Sequence, residues 1–254
     1  MSLLSLRCVL KCNYPNLKKL FIFILFALSL QTAFASLLTE RLITWTIPTH
    51  STAISLGATS QAVGVTSGSL LSMGSHLTPS SAAEGWGGSN WTVGGTGLLA
   101  NNSGNYFAFS ITPTIGHNIS VTGMQGLVMF TDTNHKGPQH WDLLYSNNSS
   151  FSNFSTYATF DMAANHTLDT TSAATTALAN NPISIASGTT GYFRMVGYGA
   201  QTSKDHGLIS SSSSNPSNFG LMGTVASVPE PSSLSLLALG GLVIASRRLL
   251  KRPS

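Results

Sequence analysis

The chain has 254 residues, a pI near 9.2 and a formal charge of +4, a balance that by itself would suggest a nucleic-acid partner. The placement of the charges excludes one. Four of the twelve basic residues precede the first apolar run and four follow the last; between Ser36 and Val228, four basic residues against seven acids leave −3, with no basic patch for phosphates.

In chain order, the first element is LFIFILFALSL, Leu20 to Leu30, preceded by Lys18-Lys19 and followed by Ala33-Phe34-Ala35. A positive flank, an eleven-residue apolar stretch and an A-x-A site form a secretory signal peptide, with Ala33 and Ala35 as the signal-peptidase site and residues 1–35 removed. Eleven residues rise only about 16 Å as a helix, short of a bilayer core of about 30 Å. Signal peptidase and the Sec machinery are the implied partners. Cys8 and Cys12 both lie upstream of the cut, so the exported chain has no thiol for a disulfide, a redox pair or a cysteine nucleophile.

The exported body, residues 36–227, is rich in Ser, Thr, Asn and Gly and lacks long 3.6-residue periodicity. Short period-two or compact β-type runs recur at 42–47, 106–112, 119–122, 127–131, 141–146, 157–162, 191–198 and 219–225, each bounded by turn formers. They predict an all-β fold, an antiparallel and jelly-roll-like β-sandwich, with an N-terminal signal helix and a C-terminal single transmembrane helix. The clearest alternation puts Phe107, Phe109 and Ile111 on one face. Residues 51–75 read as a loose entry or paired strands, 210–214 as a serine loop, and 168–178 as at most a short helical turn.

Chemistry is sparse along this body. No GxSxG elbow is present, seven scattered acids offer no local carboxylate pair, and GGTG at 94–97 reads as a loop with no helix after it. HKGPQH, with His135 and His140, has no second tight ligand pair, so neither a metal nor any other cofactor is assigned. The expectation is a protein that is not an enzyme. Trp141 lies in an alternating strand and is expected in the core. Trp86 and Trp91, in GWGGSNW, sit in a glycine-rich loop and are candidates for a platform stacking on sugar faces.

The last element, residues 228–254, has three parts. Pro229-Glu230-Pro231 come first, then the apolar segment 233–246, about 21 Å long as a helix, then Arg247, Arg248, Lys251 and Arg252 in the basic tail 247–252. Basic residues after the segment place that end on the cytoplasmic side while the body lies outside. This order resembles the PEP-CTERM sorting signal of Gram-negative bacteria. The resemblance implies that exosortase, a membrane protease/transpeptidase, recognises Pro229, Glu230 and Pro231, and that the basic cluster is the cytoplasmic retention element. The protein would be exported across the inner membrane, anchored transiently, processed and released to the cell surface or extracellular matrix, with exopolysaccharide or biofilm as its surroundings. Two alternatives remain open: a carbohydrate-binding module, or a permanently anchored protein with an extracytoplasmic β-domain.

The body is also similar to the β-sandwich bodies of such proteins, through Tyr106-x-x-Phe109-x-x-x-Pro113-x-x-Gly116, Trp141-x-Leu143-x-x-Ser146 and Phe193-Arg194-x-x-x-Tyr198. Asn147-Asn148 stands where an acidic turn is common there, so that turn is assigned no ligand.

Overall fold

Alternating β-branched and aromatic residues separated by glycine- and asparagine-rich turns give strands throughout the computed structural model, which describes residues 39–66, 69–81, 85–126, 128–131, 136–162, 167–169, 171–210 and 218–228. Residues 1–35, expected as a signal peptide, the Pro229–Pro231 motif, the apolar segment 233–246 and the basic cluster fall outside the described residues. The first half contains β1 (Glu40–Thr46), β2 (Ser55–Gly57), β3 (Ser60–Gln61), β4 (Leu70–Met73), β5 (Thr78–Ser80), β6 (Gly85–Ser89), helix α1 (Gly97–Ser103), β7 (Tyr106–Ile111) and β8 (His117–Gln125). The second contains β9 (Val128–Thr131), β10 (His140–Ser146), β11 (Ser155–Asp161), β12 (Thr167–Asp169), helix α2 (Thr171–Asn180), β13 (Ile183–Ile185), β14 (Gly191–Tyr198), β15 (Gly207–Ser210) and β16 (Asn218–Ser227).

Strand pairing is antiparallel throughout these elements, as the all-β reading expects. Three sheets result, with orders β13-β8-β16-β1-β3, β11-β10-β14-β7-β4-β2 and β12-β9-β15-β6-β5. The six-stranded sheet forms one layer. Its inner face carries Phe107, Phe109 and Ile111 on β7, the alternation legible in the sequence, beside Phe193 and Met195 on β14 and Trp141 and Leu143 on β10. The opposing layer is divided. Phe109 meets Trp45 and Phe219 of the first sheet at 5.8 and 5.1 Å between ring centroids, while Phe107 meets Trp86 of the third at 5.5 Å. One continuous apolar core joins these contacts, and burying such side chains is the main favourable contribution to folding.

Two local readings need correction. Residues 97–103 do form a helix after GGTG. Thr96 caps it, its side-chain oxygen accepting from Leu99 N at 3.4 Å, and Gly104 ends it at φ 83°. The 168–178 segment contributes a full helix, Thr171–Asn180, rather than a single turn. Ala174 and Leu178 join the core, and Thr175 Oγ1 donates to Met124 O at 2.9 Å on β8.

Candidate functional site

Trp86 and Trp91 are both 0% exposed, which overturns the proposed sugar platform. GWGGS is β6, a central strand paired to β5 and β15, rather than a loop. Its glycines are required by close packing: a Cβ on Gly87 would strike the Gly207 carbonyl, and one on Gly88 the Thr78 carbonyl. Trp86 Nε1 donates to Ala53 O and Trp91 Nε1 to Gly88 O, each at 2.7 Å. Trp91 packs edge-on against Trp141 at 5.1 Å, and a Cβ at Gly207 would lie 2.8 Å from its ring. Trp141 is buried, as its alternating strand predicts.

The polar chemistry lies instead on the outer face of the six-stranded sheet. Period-two alternation sends Tyr192, Arg194, Val196 and Tyr198 of β14 away from the core. Val196 and Leu144 are covered by Ala100 of α1 and by Phe151, from the turn joining β10 to β11. The Arg194 guanidinium lies between the rings of Tyr106 and Phe151, 3.9 Å from each centroid, and donates through Nη1 to Asn101 Oδ1 at 2.7 Å. Phe151 reaches this position at φ 52°, uncommon for an aromatic residue, with its N–H donating to Asn148 O. Burial holds the Arg194 guanidinium below its usual value, with the nearby Tyr106 opposing that shift. Its Nε is buried without an acceptor, and among the described residues no carboxylate pairs with it.

Beside this stack runs a groove of about 300 Å³, lined by Ser69, Ser72, Ser110, Ser149, Phe151, Tyr192 and Arg194 among others. Sequence reasoning missed it, although the Tyr192-x-Arg194 alternation opposite Phe193 carried the signal. Further along the same face, His140 stacks on Tyr198 at 5.2 Å and lies 3.7 Å from Asp161. Thr159 Oγ1 donates to Asp142 Oδ1 at 2.8 Å, and the Tyr198 hydroxyl reaches that oxygen at 3.4 Å. Burial first, then the negative Asp142, raises the Tyr198 phenol above its usual value. His135 lies outside the described residues, and among those described no three His, Cys, Asp or Glu side chains are placed to share a metal.

The last described segment is β16, held between β8 and β1. Its glycines permit the fit: a Cβ on Gly220 would meet the Ile43 carbonyl and one on Gly223 the Ser120 carbonyl. Val228 leaves the strand with its N–H donating to Gly116 O at 2.7 Å, so residues 229 onward depart from a fixed point beside the β7–β8 turn.

Residues 227–249 match the PEP-CTERM protein-sorting motif. An exported protein with an all-β body that ends in a sorting signal is the class so defined, and the motif implies processing by exosortase, a membrane protein, with transient anchoring. No curated protein and no solved structure gives a significant match to the chain.

Proposed function

We propose that this is a non-enzymatic component of the cell surface or extracellular matrix, delivered by exosortase processing at the Pro229-Glu230-Pro231 motif. The carrying observation is the match of 227–249 to the sorting motif, directly following a strand locked into the body. The chemistry of the tail supports the same reading. A proline pair resists helix and strand hydrogen bonding and keeps the chain accessible to a protease, while a short apolar segment before arginines holds it in the membrane only until it is cut. The test compares cells with and without exosortase. Processed protein in the surface or medium fraction of the first, and membrane-held precursor in the second, is the expected pair of results. Efficient turnover of a common substrate by the mature protein would contradict the non-enzymatic part.

A second reading, contact with extracellular polysaccharide, is favoured by the groove beside Arg194. Tyr192 offers a partly exposed ring, serine hydroxyls offer hydrogen bonds, and an arginine without a carboxylate partner suits acidic sugars. Retention of the mature protein on matrix polysaccharide, weakened by Tyr192→Ala, is the expected result. Equal retention of the variant removes the groove from consideration.

A further inference from the structure

Two tight turns at the end where the tail departs are built alike. In Ala62-Val63-Gly64-Val65, Val65 N donates to Ala62 O at 3.1 Å and Gly64 has φ 90°; in Thr114-Ile115-Gly116-His117, His117 N donates to Thr114 O at 3.1 Å and Gly116 has φ 84°. Both follow the type II pattern, which requires glycine at the third position and places the second residue at the tip. That tip favours proline, yet here it holds Val63 and Ile115, each 90% exposed.

The turns are joined to each other and to the tail. Thr114 N donates to Gly64 O at 2.9 Å, and Val65 bridges Pro113 in antiparallel register, so Val63 and Ile115 project side by side. Val228, itself exposed, is bonded to Gly116. Ser187 Oγ accepts from Gly116 N at 2.8 Å, and Gly188 N donates to Pro113 O, bracing the Ile115 turn from the β13–β14 side. Residues 62–66, 113–118, 186–190 and 225–228 include no Lys, Arg, Asp or Glu. The nearest charges along the register, Glu40 and Arg41, sit opposite Gly223 and Met222 on β16 and, where Ala62 N donates to Leu42 O and continues the β1–β3 pairing, flank the Val63 turn on its other side.

We infer that this end is a membrane-contact surface, with Val63 and Ile115 dipping into the outer leaflet of the membrane that holds the tail and Arg41 at headgroup level beside them. The inference rests on the anchoring reading of the sorting motif. Four residues separate Val228 from the apolar segment that begins at 233, a link shorter than about 18 Å even when fully extended. An anchored precursor therefore keeps Val228 close to the interfacial layer, and the two turns share its position. Two scattered exposed aliphatics would need no explanation, but paired ones beside the tether meet lipid by geometry. Val63, Ile115 and Val228 together have fewer side-chain carbons than one myristoyl chain, which alone anchors only marginally. The contact thus orients the tethered precursor, presenting residues 229–231 at the interface where a membrane protease works, and releases once the tail is cut.

The test uses the full chain, with Cys8→Ser and Cys12→Ser, in phosphatidylethanolamine/phosphatidylglycerol vesicles. An environment-sensitive fluorophore is attached in turn at Val63→Cys, Ile115→Cys, Gly240→Cys in the tail, or Val93→Cys, which lies beside Ala200 at the far end of β14. The expected result is blue-shifted emission and quenching by a lipid-borne quencher at positions 63, 115 and 240 but not 93. Val63→Ser should abolish the shift at 115, and Ile115→Ser that at 63. A buried label at 240 with both turns in water overturns this inference alone; a label at 240 in water overturns the anchoring reading as well. Protection of 63 and 115 only when exosortase is added would assign the surface to a protein partner and overturn the lipid assignment.

Discussion

At the residue scale, what looks like functional display is often packing. Trp91 is enclosed by Trp141, Phe107, Gly197 and Gly207, so Trp91→Ala should cost about 3–5 kcal/mol, read as a lower denaturant midpoint; an exposed platform residue would leave the midpoint unchanged. Arg194 is the converse case, a charged side chain held by two aromatic faces and one amide. Arg194→Lys retains the charge but loses the planar cation that fits between Tyr106 and Phe151. Chemical unfolding should register a loss of about 1–2 kcal/mol, and an unchanged midpoint would mean that the stack contributes only geometry.

At the element scale, the helix that covers the outer face depends on one hydroxyl. Thr96→Ala removes the α1 cap and should lower stability by about 1 kcal/mol, with faster amide exchange at Leu99 as the local readout. Elements whose residues alternate strongly were legible in the sequence: β7, β10 and β14 fall within a residue of expectation, because inward aromatics and outward polar residues repeat every second position. The elements that escaped notice have a different physical origin. β6 is glycine-rich because the backbones of the strands on either side crowd it, which imitates a loop in composition. The 51–75 entry, read as loose or as paired strands, does pair β2 with β4, while the short β13 and β15 are defined by their partners across the sheet rather than by local pattern. The outer-face groove escaped for the same reason, since it joins Ser72, Ser110, Ser149 and Arg194 from four separated stretches.

At the scale of the whole molecule, stability and destination are set by different parts of the chain. Buried phenols make the stability of the body depend on pH at the alkaline end. Burial raises the phenols of Tyr145, Tyr157 and Tyr198 above the usual value of about 10, so the folded state retains protons that the unfolded chain releases. Their contribution is fully present below about pH 10 and is lost as pH rises through the folded-state values; denaturant midpoints should fall as pH rises above about 10, and a flat profile there would contradict those shifts. Destination belongs to the tail, where three short parts in order match a sorting motif. The +4 formal charge, which at first suggests nucleic acid, is a product of the two terminal segments. Mass spectrometry of the C-terminus of the mature, cell-derived protein tests the central claim most directly. Sorting predicts a chain ending near Pro229–Pro231 and lacking Arg247–Ser254; a mature protein that retains Ser254 in the membrane fraction would contradict it.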